Sequence, residues 1–405
     1  MRNLRHILLF LLGASLPFSN MAISFAGRNW SLGLISSALY FFAMASDFPK
    51  IIRVPRIYGR YVLNLFVFAV ILTIANFFNA NYYGTPVLPT TNFLCAILFI
   101  ILLLHDILDR GVILKCMYGI AAGSILMSVF FLMGFGASVT SDDGNQLVMF
   151  GENPNILGIY MAIGSMVILY EWILQDKLKL KAFRLVFFIA YVPLIILLFA
   201  TGSRVAFLIF ASSLLVTLLL MKTKKNIIKL LLFSIIGIGA IYVSHRFVES
   251  DLIIAKRLMA TFTEGDVSGR DNIFKSLWPY MVDNMIFGVG ETGYVEISKQ
   301  ALRKITMSGE VMYGYSPHNV LLELLLYTGI FGFMLYIVFW YKIYRCSVCS
   351  YRLNSNLLPL LCLIPIIGSI FSAQILTAKW AFIMYAYIIS VGTEYNNNRN
   401  FMSRN

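Results

Sequence analysis

The chain has 405 residues, of which 59% are hydrophobic and only 13% charged, with a mean hydropathy of +0.80. Soluble domains carry about 25% charged residues, so the composition excludes a soluble globular enzyme and points to an integral membrane protein. The net charge of +13 does not point to nucleic acid, because the basic residues sit in short clusters between apolar runs, as membrane topology demands.

A helix crossing the hydrocarbon needs about 20 mostly apolar residues. Twelve runs qualify, at about 7–25, 31–47, 61–78, 90–107, 113–136, 155–173, 185–201, 204–221, 227–244, 318–341, 357–374 and 378–394. Arg2 and Arg5 before the first run, and Ser24-Phe25-Ala26 after it, mimic a signal peptide; the reading adopted is an uncleaved anchor. With the N-terminus inside, twenty-one of the 32 Lys and Arg fall on inner segments and only Arg28, Arg204 and Lys379 on short outer ones. The remaining eight lie in the polar stretch 245–317. By the positive-inside rule both termini are then cytoplasmic and that stretch is outside. The expected organisation is nine helices over 1–244, a large outer loop with amphipathic helices over 245–317, and three helices with a tail over 318–405.

The outer segments differ in character. Asn79 to Thr91 is uncharged and suits an interfacial loop. Ser138 to Asn155 carries Asp142, Asp143 and Glu152, and ends on Asn153-Pro154-Asn155, where Pro154 fits a first helical turn and Asn153 its N-cap. Thr201-Gly202-Ser203-Arg204 is so short that the flanking helices form a tight hairpin. In the large loop, Asn272 to Asn284 reads as an amphipathic helix, with Arg270 just before it. Trp278, Tyr280, Met281, Ile286 and Phe287 are spaced like an apolar face on a membrane surface. Gly288, Gly290 and Gly293 read as a flexible turn; with no preceding strand they make no dinucleotide site. Cys346-x-x-Cys349 lacks the further ligands of a zinc site.

Chemistry is expected on the outer face. His318, after Pro317, is wet enough to titrate and fixed by a helix, as a proton acceptor near neutrality requires; the alternative is an interfacial histidine at a helix start. Asn319 could orient a ring or a substrate hydroxyl. Glu323 is a carboxylate inside a span, costly there unless paired or functional; the alternative is a structural bond to Gln374 or Lys379. Arg204 and Arg270 offer planar donor forks that suit a diphosphate, against snorkelling for Arg204 and ordinary surface charge for Arg270. Lys275 adds positive field. No acidic cluster with metal-ligand spacing lies outside, so the expected chemistry is a histidine base with arginine charge stabilisation, without metal or cofactor.

At these residues the sequence resembles the O-antigen ligase and polymerase superfamily of bacterial cell envelopes. Gly202-Ser203-Arg204 resembles the family's G-S-R at an outer hairpin. Ser268-Gly269-Arg270, followed by Asp283-Asn284 and Gly288-Val289-Gly290, resembles its S-G-R…N-P-hydrophobic-x-G-x-G run, with Met285 where the family often has proline. His318-Asn319, then nine residues, then Gly329-x-x-Gly332 resembles the ligase motif, and Asn153-Pro154-Asn155 an N-P-N that often opens the preceding hairpin.

The resemblance implies an all-α polytopic inner-membrane protein of about 12 helices with one large periplasmic loop, a GT-C-like glycosyltransferase. It implies an undecaprenyl-diphosphate-linked glycan donor. Arg204 and Arg270 would hold the diphosphate, and His318 would take the proton of an acceptor hydroxyl that attacks with inversion. Ser203, Asn153, Asn155, Asn319, Glu323 and Lys275 would line the substrate. The acceptor is lipid A core for a ligase, the favoured reading, or another lipid-linked glycan for a polymerase. A lipid-linked glycan transporter is the alternative from another class, favoured by helix number but not by any matching halves.

Overall fold

The long apolar runs fold as helices because a backbone in hydrocarbon must satisfy its own N–H and C=O groups. The computed structural model describes residues 2–25, 28–47, 56–86, 88–140, 146–174, 181–220, 239, 270–302, 304–305, 311–312, 317–371 and 375–402. The helices of the first half are α1 (Arg2–Ser15), α2 (Leu32–Met44), α3 (Arg56–Tyr83), α4 (Thr90–Leu108), α5 (Ile113–Leu132), α6 (Pro154–Val167, extended by a π turn Ile168–Leu174), α7 (Lys181–Ala200) and α8 (Arg204–Leu220). The second half holds α9 (Arg270–Asp283), α10 (Gly290–Ala301), α11 (Val320–Asn354), α12 (Leu358–Leu361), α13 (Leu363–Gly368) and α14 (Lys379–Met402).

Among the described residues, five helices are long and apolar enough to cross a membrane: Tyr58–Ala80, Thr91–Leu108, Ile113–Leu132, Pro154–Glu171 and Val320–Asn354. Five shorter apolar helices accompany them, at Leu32–Asp47, Ile189–Ala200, Arg204–Leu220, Leu358–Gly368 and Lys379–Gly392. This is a helical membrane protein. The expected run 227–244 and the stretch 245–269 lie outside the described residues, save for Gly239, which is helical.

Several expected elements differ. The first run is not one helix to residue 25: α1 stops at Ser15, Pro17 sits in a 3-10 turn, and the chain then pairs Ala22–Phe25 (β1) with Arg28–Ser31 (β2). Two more antiparallel ribbons qualify the all-α expectation, Ala137–Thr140 (β3) with Gln146–Met149 (β4), and Lys304–Ile305 (β5) with Val311–Met312 (β6). All three ribbons lie in the links between helices. The run expected at 357–374 is broken into α12, α13 and a 3-10 turn, because Pro365 cannot donate to the Leu361 carbonyl across the break; Pro359 lies in the first turn of α12, where proline is tolerated.

Helices pack through small residues where backbones must approach, as expected in lipid. Gly119 and Gly123 press α5 onto α1 so closely that a Cβ would stand 2.1 and 2.3 Å from main-chain oxygens of Phe10 and Ala14. One end of the bundle is held by ionic contacts. Arg2 donates to Asp109 from Nε at 3.0 Å, Arg5 pairs with Asp47, His6 pairs with Asp109, and Lys115 Nζ lies 2.6 Å from His6 Nδ1. The Arg2 guanidinium holds the Asp109 carboxyl down to about 2. At the other end α6 and α8 begin; there β4 packs against α6, and Gln146 Nε2 donates to Thr201 O at 3.4 Å just before α8.

Candidate functional site

The corner between α6 and α8 is built by short polar side chains. Asn153 caps α6, its Oδ1 accepting from the Asn155 N–H at 2.9 Å, with Pro154 in the first turn. The Ser203 hydroxyl donates to Asn155 Oδ1 at 3.0 Å and accepts from the Ala206 N–H at 3.3 Å, so it caps α8 and ties it to α6. Gly202 turns the chain with φ +62, a conformation that disfavours other residues. Two expected site residues, Asn155 and Ser203, are thus brought into contact. Beside them Glu152 accepts from the Ser19 hydroxyl at 2.7 Å, and burial pushes its carboxyl above the usual carboxylate range against the bonds from Ser19, Asn20 and Asn153.

Arg204 and Arg270 share a position: each is the first residue of its helix, α8 and α9. A cation there opposes the helix dipole, whose positive end lies at the N-terminus. The same position suits an anion, which meets unpaired backbone N–H groups as well as the guanidinium. The Arg270 side chain lies outside the described residues. Lys275, in the second turn of α9, is exposed. Helix α9 turns Leu277 and Met281 inward and leaves Phe274 and Trp278 exposed, their rings 5.2 Å apart. With Val282, Met285, Ile286 and Phe287 they form an uncovered apolar face, as expected for a helix lying at an interface.

The link between α9 and α10 is not a flexible turn. Gly288 and Gly290 have φ near +69 and +68, and Gly293 lies inside α10. Helix α11 is interrupted at Gly329, with φ +60 and ψ −163. The α9–α10 link supplies the hydrogen bonds this break removes: the Ile330 N–H donates to Met285 O at 2.8 Å, and the Val289 N–H to Leu326 O at 2.6 Å. The approach excludes side chains on both sides. A Cβ on Gly288 would stand 2.6 Å from Gly329 N, and one on Gly329 would stand 2.2 Å from Ile286 O. The two glycine motifs singled out in the sequence are therefore one joint.

Above that joint, α11 starts two residues later than expected. His318 is not its first residue but a loop residue with φ +50, half-buried after a buried Pro317. Asn319 is the N-cap, its Oδ1 accepting from the Leu321 and Leu322 N–H groups at 2.9 and 3.2 Å. Its carbonyl side is therefore committed to the helix, and only Nδ2 is left to orient a ring or hydroxyl. Glu323 is 4% exposed and bonds the Tyr327 hydroxyl. Lys379, considered as its partner, instead donates to Gly33 O and Ser37 Oγ at 3.0 and 3.1 Å; Gln374 lies outside the described residues.

A polar cluster next to Glu323 escaped the sequence reading. Glu291 accepts from Asn92 Nδ2 at 3.0 Å, and Asn76 Oδ1 accepts from the Thr292 N–H at 2.9 Å. Burial pushes the Glu291 carboxyl up to about 7, opposed by the Asn92 bond. The available signals were Asn76 and Asn92 inside or beside apolar runs, where polar groups are costly unless partnered. At the opposite end of the bundle, ligand atoms of His6, His105 and Asp109 lie within 4.8 Å of one another. There Arg2 and Lys115 already supply the positive charge a metal would bring.

Residues 185–337 match the O-Antigen ligase family. Over those residues the chain is similar to that family. The match runs from α7 to the middle of α11 and so contains Arg204, Arg270, His318 and the Gly288–Gly329 joint. It covers less than half of the chain and leaves out the Asn153–Asn155 corner. No curated protein matches the chain. The ligase-family domain supports the O-antigen ligase/polymerase superfamily, with glycosyltransferase-type activity of that broad kind on lipid-linked glycans in a membrane.

Proposed function

We propose that the protein transfers an undecaprenyl-diphosphate-linked glycan to an acceptor hydroxyl at the periplasmic face of the inner membrane, with lipid A core as acceptor. The observation that carries the reading is the ligase-family match over a stretch whose two candidate arginines each open a helix and whose candidate histidine stands just before a third. Arg204 and Arg270 bind the diphosphate where backbone N–H groups add to their charge. His318 accepts the proton of the acceptor hydroxyl as its oxygen bonds to the anomeric carbon with inversion. The bond from that carbon to the diphosphate oxygen breaks, and the electron pair leaves with the diphosphate, whose growing charge the arginines stabilise. Ser203, Asn155 and Asn153 hold the corner that presents Arg204, while Asn319 and Lys275 line the approach. The outward orientation of this end rests on the distribution of basic residues along the sequence.

A polymerase uses the same machinery with a lipid-linked acceptor. Transport draws support from the interrupted helix α11, a device common in transporters. Against it, the break at Gly329 is filled by backbone from the α9–α10 link rather than left open to a cavity.

The test is reconstitution of the purified chain with an undecaprenyl-diphosphate glycan, offering lipid A core and lipid-linked glycan separately. His318→Asn is the informative variant, because asparagine tolerates positive φ but supplies no base. Glycan on lipid A core, lost in the variant, supports the ligase reading. Lengthened lipid-linked chains replace it with polymerase, and glycan crossing the bilayer unmodified, equally in the variant, replaces it with transport.

A further inference from the structure

The turn that leads into α6 is strained. Phe150 has φ +51 and Gly151 φ +73, a backbone region that a bulky side chain such as phenylalanine occupies only when its surroundings enforce it. Here they do. The Phe150 ring lies among Phe18, Phe130 and Phe135, with centroids 6.0, 6.0 and 5.6 Å away. The Phe150 N–H donates to Gly136 O at 2.8 Å, and the Glu152 N–H to Met149 O at 2.9 Å. The turn points the next carboxyl inward, leaving Glu152 3% exposed. The loop that follows α1 meets it there. The Ser19 hydroxyl donates to Glu152 Oε2 at 2.7 Å, and Asn20 Nδ2 donates to Gly151 O at 3.1 Å.

From Glu152 a continuous chain of bonds leads to Arg204. The next residue, Asn153, caps α6 through Oδ1, which accepts from the Asn155 N–H at 2.9 Å. Asn155 Oδ1 in turn accepts from the Ser203 hydroxyl at 3.0 Å. Ser203, 1% exposed, accepts from the Ala206 N–H at 3.3 Å and is joined directly to Arg204. The two helices leave no room to slide: a Cβ on Gly158 would stand 2.6 Å from Ala206 Cβ and 3.1 Å from Ser203 Cβ. Removing the carboxyl strands buried donors without an acceptor, a cost relieved by moving the α6 cap.

We propose that Glu152 is a positioning residue for Arg204: it anchors the cap of α6, and through Asn155 and Ser203 the first turn of α8, to the loop after α1. The inference rests on the reading of Arg204 as a ligand of the diphosphate. It brings residues 19–20 and 150–155, outside the 185–337 match, into the machinery.

The test uses the full chain in lipid nanodiscs with two readouts. One is affinity for farnesyl diphosphate by calorimetry; the other is amide hydrogen exchange by mass spectrometry, which needs no ligand. Glu152→Ala should weaken affinity roughly tenfold, the scale of losing one hydrogen bond to a charged group, and should speed exchange in the first turns of α6 and α8. Glu152→Gln, which keeps an acceptor oxygen, should recover most of both. Ser19→Ala removes one donor and leaves the carboxyl, so it should repeat the pattern at smaller size even if Glu152→Ala does not fold. In an Arg204→Ala background Glu152→Ala should cause no further loss of affinity, because it acts through Arg204. Asp106→Asn, at the opposite end of the bundle where Asp106 accepts from Ser390 and the Gly111 N–H, should change exchange there and leave affinity unaltered. The proposal is overturned if Glu152→Ala leaves exchange at the start of α8 as in the wild type, or if Glu152→Gln behaves like Glu152→Ala. It is equally overturned if Glu152→Ala weakens affinity as much without Arg204 as with it. A wild type that does not bind farnesyl diphosphate, or an Arg204→Ala variant that binds it equally well, counts against the proposed function; the positioning is then judged from exchange.

Discussion

Replacing Gly329 by alanine tests the joint between the two glycine motifs most directly. The residue sits at φ +60 and ψ −163, a region open almost only to glycine, where another residue costs about 1–3 kcal/mol. The new Cβ would stand 2.2 Å from Ile286 O, so the α9–α10 link must also withdraw. Withdrawal breaks the Ile330–Met285 and Val289–Leu326 hydrogen bonds, each contributing about 0.5–1.5 kcal/mol. Together the loss comes to roughly 2–6 kcal/mol, a large share of a typical folding stability of about 5–15 kcal/mol. The assay is thermal unfolding of the purified protein in detergent, with transfer measured on whatever folds. Two controls separate the terms. Gly111→Ala, at φ +72 with nothing within 4 Å of the new Cβ, reports backbone strain alone. Gly332→Ala meets Thr328 at 2.1 Å from Oγ1 and 2.3 Å from Cβ, which no rotamer can move, so it strains α11 without touching the α9–α10 link. If Gly329→Ala unfolds no earlier than Gly111→Ala, the break is not filled by the α9–α10 link and the reasoning fails.

Ser203→Ala and Asn155→Ala should each destabilise, and their double-mutant cycle should give a coupling of about 0.5–1.5 kcal/mol; independent effects would mean the α6–α8 corner is not tied through this bond. Asn319→Asp should keep the cap and most of the stability, whereas Asn319→Ala should cost about 1 kcal/mol. Equal unfolding midpoints for the two would remove the capping role. Glu152, raised by burial, stabilises fully below the ordinary carboxylate range and less as pH rises through its folded value. Glu152→Gln should therefore flatten the stability loss above that range, measured as unfolding midpoint against pH, and an unchanged slope would show the carboxyl to be solvated.

The features legible in the sequence were local. Asn153-Pro154 specified a capped helix start, Gly202 a tight turn, and the stretch after Arg270 a helix, each signal lying within a few residues of its effect; Met281, expected on the outward apolar face, turns inward instead. The misreadings came from partners distant in the chain. Gly288-Val289-Gly290 looks flexible by itself and is fixed only because Gly329 takes up its backbone. Glu291 looks like an ordinary helix-start acid, and its bond to Asn92 spans 199 residues. The first apolar run read as one span because hydropathy is blind to Pro17 and to a ribbon closing back on itself.

The joint also explains why one family domain pairs a histidine motif with glycines eleven and fourteen residues further on. A continuous helix through Gly329 would satisfy its own carbonyls and have no need of the α9–α10 link. Breaking it leaves backbone groups in hydrocarbon that must be partnered, and the link that partners them is continuous with the helix that Arg270 opens. Helix α9, whose start is proposed to face the diphosphate, and the histidine before α11 are thereby tied to one another by main-chain hydrogen bonds at Met285, Val289, Leu326 and Ile330, which no side-chain rotamer can relax. A site whose chemistry depends on placing a base against a departing diphosphate gains from such a joint, because small misplacements of reacting groups are costly in rate. Arg204 reaches the same end of the bundle by a separate route, through Ser203 and Asn155. Changes at the corner should therefore weaken transfer while leaving the α9–α11 joint intact.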